Sequence, residues 1–436
     1  MIKAVRGTRD LLPPDTDLWN RVDAKVRDLF ARYNYHEIRT PIFEDTQLFS
    51  RSVGEDTDIV TKEMFTWEDF PRPKESAAHI GQTVSEGPAR SLTLRPENTA
   101  GVVRAYIEHQ LDKRGTLQKL YYIGPQFRRE RPQKGRYRQF YQIGAEIIGP
   151  PSAGSESSAR DAEVLEMLAT LLDELGLRGW TLQLNSVGCA ADRARYNQAL
   201  REALKPVIHL MCADCQRRAE TNPLRVLDCK VPEDQPIIEK LPKISEYLDD
   251  ACRENFAAVR AMLDAVGVPY TINERMVRGL DYYTRTTFEF THGDLGAQSA
   301  VLGGGRYDGL SEVLDGPKAP GIGFAIGEDR LILALQAEGV TADAKLDAYI
   351  APLGADMNAH ALKLARELRR AGVTADIGDG TFRLKKSFEA AEKAGARYIV
   401  IVGENEVASS QFAVKDLDTS KQESVAGEKL VEYLLR

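Results

Sequence analysis

The sequence predicts a sheet-rich α+β domain carrying a mainly helical insertion, followed by a smaller α/β domain. Three observations lead there. Residues 121–149, YYIGPQFRRERPQKGRYRQFYQIGAEIIG, pair two β-type runs, Leu120 to Ile123 and Phe140 to Ile148, across a basic loop. From about 188 to 260 the chain is mainly helical and polar, and interrupts the sheet-rich pattern. From about 345 it alternates strand and helix, with Tyr398 to Val402 as an apolar strand core, the pattern of a mostly parallel sheet. The expected organisation is therefore 1–340, with the insertion at about 188–260, and 341–436.

Composition narrows the function classes. The chain of 436 residues is 43% hydrophobic and 28% charged, as an ordinary globular protein is. There is no apolar run of about 18 residues for a membrane span and no apolar leader at the start. Five cysteines, an odd number, argue for a reducing cytoplasm over a disulfide framework. The net charge of −7 means that any nucleic acid must be held by local basic patches.

Taken in order, Asp17 is expected to cap a helix whose apolar stripe runs Leu18, Trp19, Val22, Val26, Leu29, Phe30 and Tyr33. Tyr35 to Phe43 reads as a strand, and Pro41 inside it points to an edge, a bulge or an interface. Residues 51–60 read as a polar loop, Glu63 to Trp67 as a strand, and 70–88 as a long polar excursion. Leu92 to Arg95 is a strand, and Pro96-Glu97-Asn98-Thr99 opens a helix to about Leu111. Glu97 and Thr99 there could cap free amides or, alternatively, clamp a ligand ammonium.

In the hairpin, Gln142, Gly144 and Glu146 share one face, opposite Tyr141, Ile143, Ala145 and Ile147. The loop sets Arg128, Arg129, Arg131, Lys134, Arg136 and Arg138 against the single acid Glu130, which points to a highly anionic partner such as phosphate. An amphipathic helix around Val164 to Leu175 stops at Gly176, and strand Trp180 to Leu184 precedes the insertion.

The insertion holds Cys212, Cys215 and Cys229. A structural zinc site needs four ligands; His209 or Asp228 could complete one, but nothing in the spacing requires it, so no metal is assigned. Beyond the insertion, Thr286, Phe288 and Phe290 alternate in strand fashion. LGGGRYDGL at 302–310 allows close backbone approach or a tight turn. A strand from Pro320 then runs into a helix with Arg330 near its start.

The basic hairpin 124–140, LRPENT at 94–99, RGLDYYTRT at 278–286, LGGGRYDGL at 302–310 and GIGFAIGEDRL at 321–331 occur together and in this order. In that combination the chain resembles, from end to end, the histidyl-tRNA synthetases of the class II aminoacyl-tRNA synthetases. The resemblance implies an antiparallel catalytic sheet flanked by helices, a homodimer interface around Pro41, an insertion near the tRNA acceptor arm and a C-terminal anticodon-binding domain. It implies ATP and Mg²⁺, with L-histidine and tRNA(His) as partners.

Position by position, it implies that Arg128 and Arg278 meet the α-phosphate of ATP and Arg330 the γ-phosphate. Glu97 and Thr99 would take the α-amino end of histidine. Gln142, Glu146, Tyr282, Tyr283 and Tyr307 would line the histidine pocket, with Glu146 and Tyr283 on the imidazole. Gln133, Lys134, Arg136 and Arg138 would meet the acceptor end of the tRNA. Asn98 departs from the LRPEGT of many members; an asparagine tolerates the positive φ that a glycine would allow there. A catalytically silent, histidine-sensing paralogue typically lacks the C-terminal domain and has eroded phosphate arginines. Here Arg128, Arg278, Arg330 and the α/β tail are all present.

Overall fold

The basic hairpin supplies two adjacent strands toward one edge of the larger of two sheets in one unit of the chain. The computed structural model describes residues 2–55, 57–70, 89–133, 135–277, 280, 282–293, 300–342 and 346–436. Two units separate, Met1–Thr341 and Ala342–Arg436. Arg278, Lys134 and the excursion at 71–88 lie outside the described residues.

The strands of the first unit are β1 (His36–Glu37), β2 (Phe43–Asp45), β3 (Phe65–Asp69), β4 (Arg90–Leu94), β5 (Gln118–Phe127), β6 (Gln139–Ile148), β7 (Trp180–Ser186), β8 (Tyr270–Ile272), β9 (Thr284–His292), β10 (Ala300–Arg306) and β11 (Gly321–Gly327). The large sheet runs β1-β5-β6-β11-β10-β9-β7-β8, and β2-β4-β3 form a small antiparallel sheet. In the large sheet only the outer pairs β1–β5 and β7–β8 are parallel; every inner pair is antiparallel.

Period-2 alternation on β6 divides that sheet. Ile143, Ala145 and Ile147 are buried on the face away from Glu146. On that same face Phe30, from the helix Asp15–Arg32, packs edge-on against Tyr121 and Phe324. That helix buries six apolar residues at helical spacing, each contributing roughly 1.5–3 kcal/mol relative to exposure. It starts after Pro14, two residues earlier than the expected cap. Asp17 instead sits in the first turn with Asp15, where a carboxylate complements the helix dipole.

The segment around Pro41 is not one strand. β1 pairs with β5, β2 pairs with β4, and Pro41, without an N–H to give a ladder, lies exposed in the gap between the sheets. Residues 51–60 are loop only in their middle, with helix at both ends. A helix Thr46–Val53, capped by Asp45, buries Leu48, Phe49 and Val53 on one face, and a π-helix Ile59–Glu63 follows. The three glycines 303–305 are interior to β10 and not a turn. A Cβ at Gly305 would press on the Thr286 carbonyl and the Tyr283 ring.

At the end of β10 the Arg306 guanidinium is fully buried. It donates to Asp161 Oδ1 and Asp308 Oδ1, both at 2.8 Å, and to the Ser155 carbonyl at 2.6 Å. Thr286 donates to the other Asp161 oxygen at 2.6 Å, so one ion pair ties β9 and β10 to the helix Ser158–Leu175. Burial pushes Asp161 up to about 6 even against the charge of Arg306. Asp161→Ala would leave the buried Arg306 guanidinium with Asp308 as its one carboxylate partner and is expected to lower the unfolding free energy by roughly 3 kcal/mol, the lower end for a broken buried pair. Urea denaturation followed by circular dichroism measures it; an unchanged midpoint would contradict the assignment.

The insertion is mainly helical, as its composition suggests: Ala190–Leu204, Ala213–Thr221, Gln235–Ile238 and Asp250–Val266, joined by 3₁₀ turns. Its core gathers Tyr196, Leu200, Leu204, Met211, Val226 and Ile238 with Cys215, Cys229 and Cys252.

In the second unit, β12 (Leu346–Pro352), β13 (Ala375–Ile377), β14 (Ala396–Val402), β15 (Gln411–Asp416) and β16 (Gln422–Ala426) run in the order β13-β12-β14-β15-β16. Only β13-β12-β14 are parallel; β15 and β16 form an antiparallel hairpin on one edge. The sheet is thus half antiparallel, not mostly parallel. β16 escapes sequence reading because only Val425 of its five residues is buried, as suits a polar edge. The helix Asn358–Arg370 buries Ala361, Leu364, Ala365 and Leu368, one face at helical spacing.

Candidate active site

The polar face of β6 lines a cavity of about 160 Å³ together with the start of the helix Thr99–Glu108 and the segment around Tyr283. Glu97 caps that helix: its carboxylate accepts from the Thr99 amide at 2.7 Å and the Ala100 amide at 3.0 Å. It also lines the cavity, so the capping and clamping readings describe the same buried carboxylate. Burial raises Glu97 above the usual carboxylate range despite those amide bonds. Asn98, next along, has φ −121°, so no positive-φ requirement exists there. Its side-chain oxygen accepts from the Thr40 hydroxyl at 2.6 Å and anchors the segment that leads to Pro41.

Glu146 is fully buried at the cavity floor, and the Thr99 hydroxyl donates to its Oε1 at 2.7 Å. Burial pushes Glu146 up to about 8, against Thr99 and Tyr307, with the charge of Glu97 adding to the rise. Its Oε2 and the Tyr307 and Tyr122 hydroxyls are buried and make no well-formed hydrogen bond among the described residues, although Tyr307 lies close enough to favour the carboxylate charge. Buried polar atoms of that kind are ordinarily satisfied, so this set suits a small polar ligand with both a donor and an acceptor. Tyr282 packs at 4.8 Å from Tyr283 and 6.1 Å from Tyr307, walling one side with rings.

Strand register reserves the space for Glu146. Gly323 of β11 lies opposite it, and a Cβ there would run into the Glu146 carboxylate. Gly323→Ala is expected to displace that carboxylate and to lower kcat/KM for the cavity's ligand by about 10²-fold, as small misplacements do. Steady-state kinetics against ligand concentration test this, and wild-type values would refute the fit.

A second cleft opens beside this cavity. Arg128, Arg136, Arg330, Phe140 and Asp329 line it, and it shares Arg128, Gln142, Gly303 and Ala325 with the first. Arg128 therefore stands at the junction. Its Nε donates to the Pro96 carbonyl at 2.9 Å, and its guanidinium lies 5.3 Å from the Phe140 ring centre. Arg330 is the third residue of the helix Glu328–Ala337. Burial and the nearby Arg136 hold Arg330 below its usual range, with Glu289 and Glu130 opposing. Arginines gathered this closely suit an anion with several negative oxygens.

The loop residues assigned to tRNA divide. Gln133 is exposed and bridges Arg136 backbone to backbone. The Arg136 side chain turns into the cleft and pairs with Glu130 at 2.9 Å. The Arg138 side chain donates to the Arg6 carbonyl at 3.3 Å, and its own amide donates to the Gly7 carbonyl at 2.7 Å.

Two participants escaped sequence reading. Tyr122 shares the Glu146 face by register, opposite Gly144, a signal available from the hairpin pairing. Arg9 donates to Asp329 Oδ1 at 2.7 Å while the other Asp329 oxygen takes the Tyr141 amide at 2.9 Å, locking the Arg330 helix to the hairpin. No local signal joins residues so far apart in the chain.

A model of the family described as histidyl-tRNA synthetase matches residues 71–331, more than half of the chain. The chain belongs to the histidyl-tRNA synthetase family. In keeping with that membership, an anticodon-binding domain model matches residues 347–436. The histidine–tRNA ligase of Koribacter versatilis (strain Ellin345) is 74% identical over 434 residues, covering 100% of this chain and 96% of that protein. That of Staphylococcus aureus (strain JH9) is 44% identical, covering 99% of each. Among solved structures, apo S. aureus histidyl-tRNA synthetase aligns with TM-score 0.78 at 38% identity over 100% of both chains. An ATP phosphoribosyltransferase regulatory subunit/histidyl-tRNA synthetase from Bacillus halodurans shares the fold at TM-score 0.64 and 19% identity, covering 92% of this chain and 98% of that one.

Proposed function

We propose that this histidyl-tRNA synthetase joins L-histidine to tRNA(His) at the paired cavities, in two steps driven by ATP. The observation that carries the reading is the junction. A cavity with an unsatisfied carboxylate oxygen and hydroxyls opens into an arginine cleft, and Arg128 borders both. Histidine in the first, with its imidazole toward Glu146 and its α-amino end toward Glu97 and Thr99, would direct its carboxylate at Arg128. ATP in the second would meet Arg128 at the α-phosphate and Arg330 at the γ-phosphate, with Arg278 as a further α-phosphate contact.

In the first step a histidine carboxylate oxygen bonds to the α-phosphorus as the bond to pyrophosphate breaks. Both reactants are anionic, so the arginines act by positioning and charge stabilisation and no protein nucleophile is needed. In the second step the 3′-terminal ribose hydroxyl attacks the carbonyl carbon and AMP leaves, its phosphate oxygen taking the proton. Mg²⁺ brought in with ATP would supply neutralisation of phosphate charge. The cleft fits that: its carboxylates Glu130 and Asp329 already pair with Arg136 and Arg9.

The same reading gives the insertion and Gln133, Lys134 and Arg138 to the acceptor end, and residues 341–436 to the anticodon. Arg136 is better placed for phosphate than for tRNA. A homodimer would use the face near Pro41, where Ile42, Phe43 and Trp67 are exposed apolar side chains; a monomer in sedimentation equilibrium would remove this. No helix among the described residues is long and apolar enough to cross a membrane, and the reading places tRNA charging in the cytoplasm.

The deciding experiment is histidine-dependent exchange of labelled pyrophosphate into ATP, with other amino acids as controls, followed by charging of tRNA(His). Exchange with histidine alone and charging of that tRNA are expected. Histidine binding without exchange would favour a sensing protein and overturn the proposal.

A further inference from the structure

We infer that the helical insertion holds a zinc ion on Cys212, Cys215, Cys229 and Asp234. The three Sγ atoms and a carboxylate oxygen of Asp234 all lie within 4.8 Å of one another. Cys212 and Cys229 sulfurs are 3.9 Å apart, and tetrahedral Zn–S bonds of about 2.3 Å set neighbouring sulfurs ~3.8 Å apart. Cys229 Sγ and Asp234 Oδ2 are 3.1 Å apart, so the fourth corner is already in reach.

Local structure prepares the site. Cys212 is the N-cap of the helix Ala213–Thr221 and Cys215 lies in its first turn, so the CxxC turns both sulfurs toward one point. The Val231 amide donates to Cys229 Sγ at 3.4 Å, an outer bond that fixes the sulfur. Asp234, 1% exposed, accepts from the Cys212 amide and the Cys229 thiol, and among the described residues no basic side chain pairs with it. A buried carboxylate ordinarily has a cationic partner or a metal. Three thiolates select a soft ion such as zinc over magnesium or calcium. The fourth ligand is therefore Asp234, and neither His209, which is exposed, nor Asp228 belongs to the cluster.

A second group nearby supplies the contrast. Cys189, Asp192, Asp249 and Cys252 also converge, but their carboxylates are spent on helix capping. Asp192 accepts the Cys189 and Asp249 amides, each at 3.0 Å, and pairs with Arg195. Asp249 accepts the Cys252 amide at 2.7 Å. That group needs no ion. In the first cluster the metal would cross-link three separate turns of a module built from short helices around a small core.

The test uses the full chain, purified with zinc under reducing conditions and gel-filtered, with metal counted by mass spectrometry. About one zinc per chain is expected, as for a closed structural site. Cys215→Ser and Asp234→Asn should each cut it at least tenfold, and Cys252→Ser should leave it unchanged. Cobalt reconstitution of the unmutated chain, which depends on no variant folding, should show thiolate-to-cobalt charge transfer and tetrahedral d–d bands. A metal-free chain without those bands, a Cys212–Cys229 disulfide, or zinc lost only in Cys252→Ser would each overturn the inference.

Discussion

Arg128→Ala will lower kcat/KM for histidine-dependent pyrophosphate exchange by about 10²–10³-fold, the usual cost of removing one donor aimed at developing charge. The reason is its place at the junction of the two cavities, where the attacking carboxylate and the α-phosphate oxygens must come together against their mutual repulsion. Because the donor acts on charge that builds in the transition state, the loss should fall mainly on kcat, with KM for ATP and histidine moving little. Arg129→Ala is the control: one residue on, that side chain is exposed and lies over Phe65, outside both cavities. Equal losses in the two variants would mean that general basicity of the loop matters, and not a directed donor. Lysine at 128 should recover only part of the rate, since an ammonium offers charge without the planar fork.

What the sequence revealed and what it hid divide along a physical line. Gln142 and Glu146 could be placed on one face of β6 from its period-2 alternation, and their place in a pocket followed only from the resemblance to the synthetase family. Glu97 was legible because a helix start concentrates free amides, and its carboxylate accepts those of Thr99 and Ala100 while facing the cavity; the Thr99 hydroxyl instead donates to Glu146. Hidden were the features that depend on register or long-range meeting. Gly323 opposite Glu146 follows only once β11 is paired with β6, and the Arg9–Asp329 lock only once both termini of the unit are placed. Asp234 joined the cysteines for the same reason: its sequence spacing carries no ligand signature, and a turn through Pro232 brings it in. Asn98 shows the opposite error. A backbone explanation was natural for an asparagine standing in for glycine, but the residue works through its side chain, holding Thr40.

Glu146→Gln will cost the larger share of histidine selectivity, about 10⁴-fold in kcat/KM for histidine, because a site built to hydrogen-bond its ligand discriminates by that order when the bond is lost. The amide keeps the shape and can still accept from Thr99, so the loss isolates charge and acceptor strength from packing. The wild-type pH profile should carry the signature of the same residue. With Glu146 raised to about 8 by burial, most chains at neutral pH hold it protonated. A neutral imidazole that donates to the carboxylate while accepting from a tyrosine hydroxyl needs the ionised form, so kcat/KM for histidine should rise with pH through about 8 and level above it. For folding the sign is opposite. The protonated carboxyl is the form the fold favours, so this group's contribution is fullest below the unfolded carboxylate range and is lost as pH climbs toward 8. Activity and stability should therefore move in opposite directions over that interval in the wild type, and both limbs should vanish in Glu146→Gln. A profile that instead fell above pH 8 would show that histidine carries an extra proton into the pocket, and the neutral-imidazole assignment would have to be given up.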